Sequence, residues 1–165
     1  MGLAIALLTI SDTRSLADDA SGDHLLDQLQ AAGHHLQARA LCADDRYQIR
    51  AELSRWIADP AVDVVITSGG TGLTGRDGTP EAVAPLLDKT IEGFGELFRV
   101  LSFEHIGTST LQSRCLAGVA NGTFIFVLPG SLDAVSTAWD RLIRAQLDAD
   151  TRPCNLAQLR ARLRE

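Results

Sequence analysis

Thr67-Ser68-Gly69-Gly70-Thr71-Gly72-Leu73-Thr74-Gly75-Arg76-Asp77-Gly78-Thr79-Pro80-Glu81 is the stretch on which the rest of the chain turns. An aliphatic run from Val62 to Ile66 leads into it, and five glycines then fall between Gly69 and Gly78. Glycines packed this closely behind a strand mark a backbone that approaches something closely or adopts positive φ. Asp77 sits inside the loop, flanked by Arg76. Pro80 opens a new helix, with Glu81 in its first turn, where an acid is favoured. Strand, glycine loop, acid and helix together read as a place for phosphate and a divalent cation.

Working outward, the chain has the grammar of an α/β protein. Leu3 to Ile10 is a continuous apolar run, as expected of a strand buried on both faces. Its shortness and the Ser11-Asp12 that follows make a buried strand the expectation, not a signal peptide or membrane span. Thr13 to Ala20 is polar and expected to be mobile. Gly22 to Ala32 carries a helical face in Leu25, Leu26 and Leu29, with Gly33 as its C′ residue. His35 to Leu41 alternates as a second strand. Asp44 or Asp45 then caps a helix marked by Ile49, Leu53, Trp56 and Ile57, which ends by Pro60. Val62 to Ile66 is the third strand.

Beyond the glycine loop, Glu81 to Leu87 reads as a short helix and Gly93 to Ile106 as a longer one. Gly107 to Arg114 is rich in Ser and Thr. Asn121-Gly122 between two apolar runs signals a hairpin, so one antiparallel strand should lie beside the strand Thr123 to Leu128. A helix with Val135, Trp139, Leu142, Ile143 and Leu147 follows, and Asn155 to Arg164 closes the chain as another. The expectation is one domain, residues 1–165, with a mostly parallel sheet and helices on both faces.

Composition narrows the function. The net charge is −6, with 21 acidic and 15 basic residues, against a nucleic-acid binder with a basic face. Lys89 is the one lysine, a bias of composition and not of function. Cys42, Cys115 and Cys154 form no C-x-x-C pair, so a reduced cytoplasmic protein is expected. His24, His34, His35 and His105 lack metal-ligand spacing.

In open α/β sheets, ligands bind beyond the carboxyl ends of the strands. Those ends deliver Ser11 and Asp12, then Asp44 and Asp45, then the loop with Asp77, then Pro129-Gly130-Ser131. Carboxylates beside glycine turns make sense when Mg²⁺ bridges acids and phosphates. Ser109, Ser113 and Arg114 are an ordinary loop or an anion-binding element. Gly70 to Gly75 fits the dinucleotide pattern G-x-G-x-x-G, which would make the chain an NAD-binding oxidoreductase. The context is wrong for it: the loop does not open a helix directly, it follows the third strand, and no acid ends a later strand about 20 residues on. No Gly-Lys-Ser/Thr or G-x-S-x-G pattern occurs.

T-S-G-G-T-G, R-D-x-T-P-E, G-F-G-E and L-P-G-S together resemble the MoaB/MogA family of molybdenum cofactor biosynthesis. The similarity runs from Ser11 to Asn155. E-G-F-G-E-L-F-R-V-L-S-F-E, I-G-T-S-T-L-Q-S-R and T-R-P-C-N look most like the MoaB branch. The resemblance implies a three-layer α/β/α sandwich, mostly parallel with one antiparallel strand, and a homo-oligomer, trimer or hexamer. It also implies adenylylation of molybdopterin by MgATP with release of pyrophosphate. The alternative within the same pathway is a protein that binds molybdopterin without catalysis. By position, the family's two acids fall on Asp44 and Asp77, expected to hold Mg²⁺. Pterin and nucleotide contacts fall on Ser11, Asp12, Gly69, Gly70, Thr71, Gly72, Thr79, Glu81, Ser109, Ser113, Arg114, Pro129, Gly130 and Ser131. Neither nucleic acid nor membrane is an expected partner.

Overall fold

The structure is a computed structural model and describes residues 2–165. Six strands form one sheet in the order β2-β1-β3-β6-β5-β4. They are β1 (Ala4–Ile10), β2 (His35–Cys42), β3 (Val64–Ser68), β4 (Lys89–Thr90), β5 (Leu116–Ala120) and β6 (Thr123–Leu128). β2, β1, β3 and β6 are mutually parallel, while β5 runs antiparallel to both its neighbours. Every residue of β1, β3 and β6 is buried, which is why these strands read as unbroken apolar runs without alternation.

Helices cover both faces. They are α1 (Ala20–Ala31), α2 (Arg46–Ala58), α3 (Thr79–Val83), α4 (Glu92–Ile106), α5 (Leu132–Ala138), α6 (Arg144–Leu147) and α7 (Leu156–Leu159). On one face Ile5, Leu7, Val64, Ile66, Phe124 and Phe126 pack against Leu25 and Leu29 of α1, Phe94 and Phe98 of α4, and the α5–α6 segment. On the other, Ala6, Leu8, Val65, Ile125 and Val127 meet Ile49, Leu53 and Trp56 of α2 and Ala82 and Val83 of α3. The strand period of two divides the two cores between these layers. The result is the three-layer α/β/α sandwich with one antiparallel strand that the sequence led us to expect.

Local signals explain most boundaries. Gly33, at φ 82°, ends α1: its amide bonds the Gln30 carbonyl and that of His34 bonds Leu29, a Schellman closure. Asn121 and Gly122, at φ 48° and 78°, make the left-handed pair of a two-residue hairpin. α5 runs into α6 through a π turn, Trp139–Ile143, whose Trp139 and Ile143 are both core residues.

Four local expectations are corrected. The third strand, Val64–Ser68, lies two residues later than Val62 to Ile66; just before it, Asp63 accepts from the Ala4 amide through Oδ2 at 2.8 Å. The helix at Pro80 starts early, at Thr79, and tightens into a 3₁₀ turn, Ala84–Leu86. Thr13 to Ala20 is folded: Ser15 and Asp18 bond reciprocally around a 3₁₀ turn, Leu16–Asp18, and Asp19 is buried as the N-cap of α1. β4 gave no signal, since it is two residues long and exposed. It sets Lys89 on the sheet edge, where a lysine and a short strand both discourage edge pairing. At the tail, α7 covers one turn before a 3₁₀ turn, Arg160–Arg162, replaces the longer helix expected. Among the described residues no helix is long and apolar enough to cross a membrane.

Candidate functional site

The four mutually parallel strands point their carboxyl ends at one edge, and the glycine loop occupies the middle of it. Gly69 is wedged between strands: its amide donates to the Leu128 carbonyl at 3.0 Å, and a Cβ there would lie 2.1 Å from the Ile10 carbonyl oxygen. Gly70, at φ 69°, lies equally close to Thr79 and Asp44, with 2.2 Å from a built Cβ to Thr79 Oγ1 and 2.6 Å to Asp44 Oδ2. Side chains are therefore excluded from both positions, and the backbone turns with its polar groups close to the strand ends. Thr79 locks the loop from beneath, its hydroxyl donating to Gly69 O at 3.0 Å and its amide to Gly70 O at 3.1 Å.

Adjacent acids have separate tasks. Asp45 caps α2, accepting from the Tyr47 and Gln48 amides at 3.0 and 2.9 Å. Asp44 is thereby spared for the loop: its Oδ1 accepts from the Gly78 amide at 3.2 Å and the residue is only 9% exposed. Burial raises its pKa above the ordinary carboxylate value, and the charges of Asp77 and Asp12 push the same way. Asp77 is held below its ordinary value, first by the Thr74 hydroxyl, which donates to Oδ2 at 2.6 Å alongside the Thr74 amide at 2.9 Å. Asp77 Oδ2 also lies 2.7 Å from where a Cβ on Gly72 would stand. Asp44 and Asp77 thus flank the loop at Gly70 and Gly72.

The loop's arginines are bound by acids. Arg76 forks onto Asp12 at 2.8 and 2.9 Å and brings that carboxyl down to about 2. Arg114 is ion-paired with Glu81, lowering the Glu81 pKa, and also donates to Gly72 O at 2.9 Å and Asp77 O at 3.3 Å. It holds the two limbs of the loop together.

A cavity of about 420 Å³ opens over this edge. Ser11, Gly69, Gly70, Thr71, Gly72, Asp77, Ser113, Pro129, Gly130 and Ser131 line it, so ten of the sequence-predicted residues come together. Ser131 is also the N-cap of α5, accepting from the Ala134 amide at 3.2 Å. Asp44, Asp12, Thr79, Glu81 and Arg114 do not line it, each being engaged as described. Ser109 lies exposed in the 3₁₀ segment Gly107–Gln112, away from the cavity lining. Sequence reasoning missed Ile10, Thr13, Arg14 and Gln112, which also line the cavity. The available signal is position: Thr13 and Arg14 directly follow Ser11 and Asp12 at the end of the first strand. A larger cavity, about 660 Å³, lies at the opposite edge beside Gly33, His34 and Arg144, remote from the glycine loop and its acids.

Gly70 to Gly75 does not open a helix, since α3 begins only at Thr79, which removes the structural context of a dinucleotide fingerprint. The three cysteines are unpaired. His34 accepts from the Leu3 amide and packs edge-on against Trp139, and His24 contacts Ser136, both packing roles.

Residues 6–149 match a family described as a probable molybdopterin binding domain. The chain is 58% identical over 151 residues to molybdenum cofactor biosynthesis protein B of Escherichia coli (strain K12), spanning 92% of this chain and 89% of that protein. Among solved structures, a molybdenum cofactor biosynthesis protein B aligns with a TM-score of 0.86 at 42% identity, over 89% of this chain and 92% of its own. The tungsten cofactor synthesizing protein MoaB from Pyrococcus furiosus aligns at 0.80 and 30% identity, over 99% and 98%. With sequence and backbone agreeing over this much of its length, the chain belongs to the MoaB/MogA family of molybdenum cofactor biosynthesis proteins.

Proposed function

We propose that the protein binds molybdopterin in the strand-end cavity and adenylylates its terminal phosphate with MgATP. A pterin phosphate oxygen attacks the α-phosphorus of ATP, a P–O bond forms, the α–β bridge bond breaks and pyrophosphate leaves. The observation that carries this reading is the pair of carboxylates, Asp44 and Asp77, set against Gly70 and Gly72 of a backbone loop that lines the cavity.

The nucleophile is already anionic at neutral pH, so no strong general base is required. The difficulty is bringing two anions together, and the chain meets it by positioning. The glycine loop brings backbone close to the ligand, Ser11 and Ser113 offer hydroxyls, and Thr79 and Arg114 keep the loop rigid. Among the described residues no three His, Cys, Asp or Glu side chains converge as a metal cage. Two carboxylates do suit Mg²⁺, which takes one or two acids and completes its shell with phosphate oxygens and water. Burial, with the nearby charges of Asp77 and Asp12 adding to it, raises the Asp44 pKa, and a cation beside that carboxylate would favour its charged form. When bound, Mg²⁺ would neutralise phosphate charge at the point of transfer.

Asp77→Asn keeps the shape and removes the charge. Turnover of molybdopterin and MgATP to adenylyl-molybdopterin, assayed anaerobically, should fall about a hundredfold or more. Near-normal turnover by a folded variant overturns the role. The second reading, binding without catalysis, draws on the pairing of Arg76 and Arg114 with acids, which leaves the loop itself no free side-chain cation for the departing pyrophosphate. Thermal shifts separate the two: stabilisation by pterin with MgATP supports the first, by pterin alone the second. The proposal includes self-association as a trimer or hexamer, supported by the exposed apolar residues of α4.

A further inference from the structure

One residue of the cavity lining carries a positive charge, and it is Arg14. Arg76 is committed to Asp12 and Arg114 to Glu81, both through carboxylate pairs. Among the described residues Arg14 has no such pair. Its one hydrogen bond runs from Nη1 to the Gly130 carbonyl at 3.1 Å, across the mouth between the β1–α1 and β6–α5 loops. That carbonyl also accepts from Ser21 Oγ at 2.8 Å, so it keeps a partner when Arg14 leaves. A guanidinium has five N–H donors, and this one uses a single donor on a neutral acceptor.

The base of the side chain is fixed by contrast. The Arg14 amide donates to Ser11 Oγ at 3.0 Å and the Thr13 amide to the same oxygen at 3.2 Å. Asp18, the acid that feels the Arg14 charge, is itself held by the Ser15 amide and hydroxyl. An arm with a fixed base, a free head and a replaceable tether faces a cavity whose only lining acid is Asp77. A phosphate exchanges the neutral bond to Gly130 for a forked, charge-assisted one of about twice the strength.

We infer that Arg14 is the phosphate-reading arm of the cavity, resting on the Gly130 carbonyl when no ligand is bound and forking onto a phosphate when one is. The inference rests on the phosphate-binding reading proposed above. The chemistry is shared by two sources, the phosphate monoester of a pterin and the polyphosphate of a nucleotide. Binding of molybdopterin and of inorganic pyrophosphate, each titrated into the full-length protein by calorimetry, distinguishes them. Arg14→Ala should weaken one or both by about ten- to a hundredfold. Arg14→Lys should recover part of the loss, since it keeps charge without the fork. The thermal midpoint should not move, because Ser21 still satisfies Gly130. The dependence of affinity on salt should flatten in Arg14→Ala, which a merely structural role would not produce.

Loss confined to molybdopterin assigns the arm to the pterin phosphate, and loss confined to pyrophosphate assigns it to the nucleotide side. Unchanged affinity for both probes in Arg14→Ala overturns the inference, as does the absence of saturable binding of either by the wild type. Arg14-dependent binding without adenylylated product leaves the inference standing and removes the proposed reaction. Normal turnover with unchanged Arg14→Ala binding does the reverse.

Discussion

At the scale of single residues, neighbouring side chains of the same chemistry divide the labour. Asp44 and Asp45 are interchangeable on paper, since either can cap the helix that follows. Only one is aligned with the α2 amides, and that is Asp45. Asp45→Ala should therefore lower stability by about 1 kcal/mol, measured by urea denaturation, with ligand binding retained. Asp44→Asn should behave in the opposite way. Its raised pKa means that the folded protein disfavours the charged form, so a neutral isostere leaves stability unchanged or higher. Nucleotide turnover should still fall, because a charge flanking the loop is gone. Stability loss in Asp44→Asn with full activity would reduce the residue to scaffolding.

At the scale of elements, legibility followed the length of the hydrophobic pattern. β1, β6, α1, α2 and α4 carry several core residues each; unbroken apolar runs announce the two strands and helical periodicity the three helices. β3 was displaced by two residues because Val62 is apolar and buried without joining the strand, while Ser68 joins it without being apolar. β4 has two residues and so no period at all. The β5–β6 hairpin was the clearest local signal, because left-handed φ at two successive positions restricts the residue choice to a few types. Gly122 sits at φ 78°, and a side chain there would also press on Arg164. Gly122→Ala should destabilise the protein by about 1 kcal/mol in denaturant titration. Since this turn precedes β6 and the cavity follows it, molybdopterin affinity should be preserved.

On the scale of the whole molecule, α4 has more apolar surface than one copy covers. Phe94 and Phe98 face the core, yet Leu97, Val100, Phe103 and Ile106 form an outward stripe at three-residue spacing, continued by Leu111 at 77% exposed. Exposed apolar side chains grouped on one element suit the interface between copies proposed above. Phe103→Glu should therefore lower the molar mass in light scattering from that of a trimer or hexamer to that of the monomer. A wild-type monomer at working concentration would contradict the proposed assembly.

The amino-acid sequence by itself determined the alternation of strands and helices, the hairpin and the glycine loop. Each is written in residues close together along the chain, where backbone sterics and hydrophobic period act directly. Parallel strand direction then followed from the β-α-β alternation, so the carboxyl-end edge could be named in advance, with ten of the residues that line its cavity. Only the tertiary structure decided which charges are spent and which are free. Arg76 meets Asp12 across 64 positions and Arg114 meets Glu81 across 33, pairings that depend on how the layers pack and not on any local pattern. The same packing sets Arg14 against a neutral carbonyl 116 positions away and leaves its charge available. Charge pairing is decided by distances of a few ångströms in space, and linear separation carries almost none of that information.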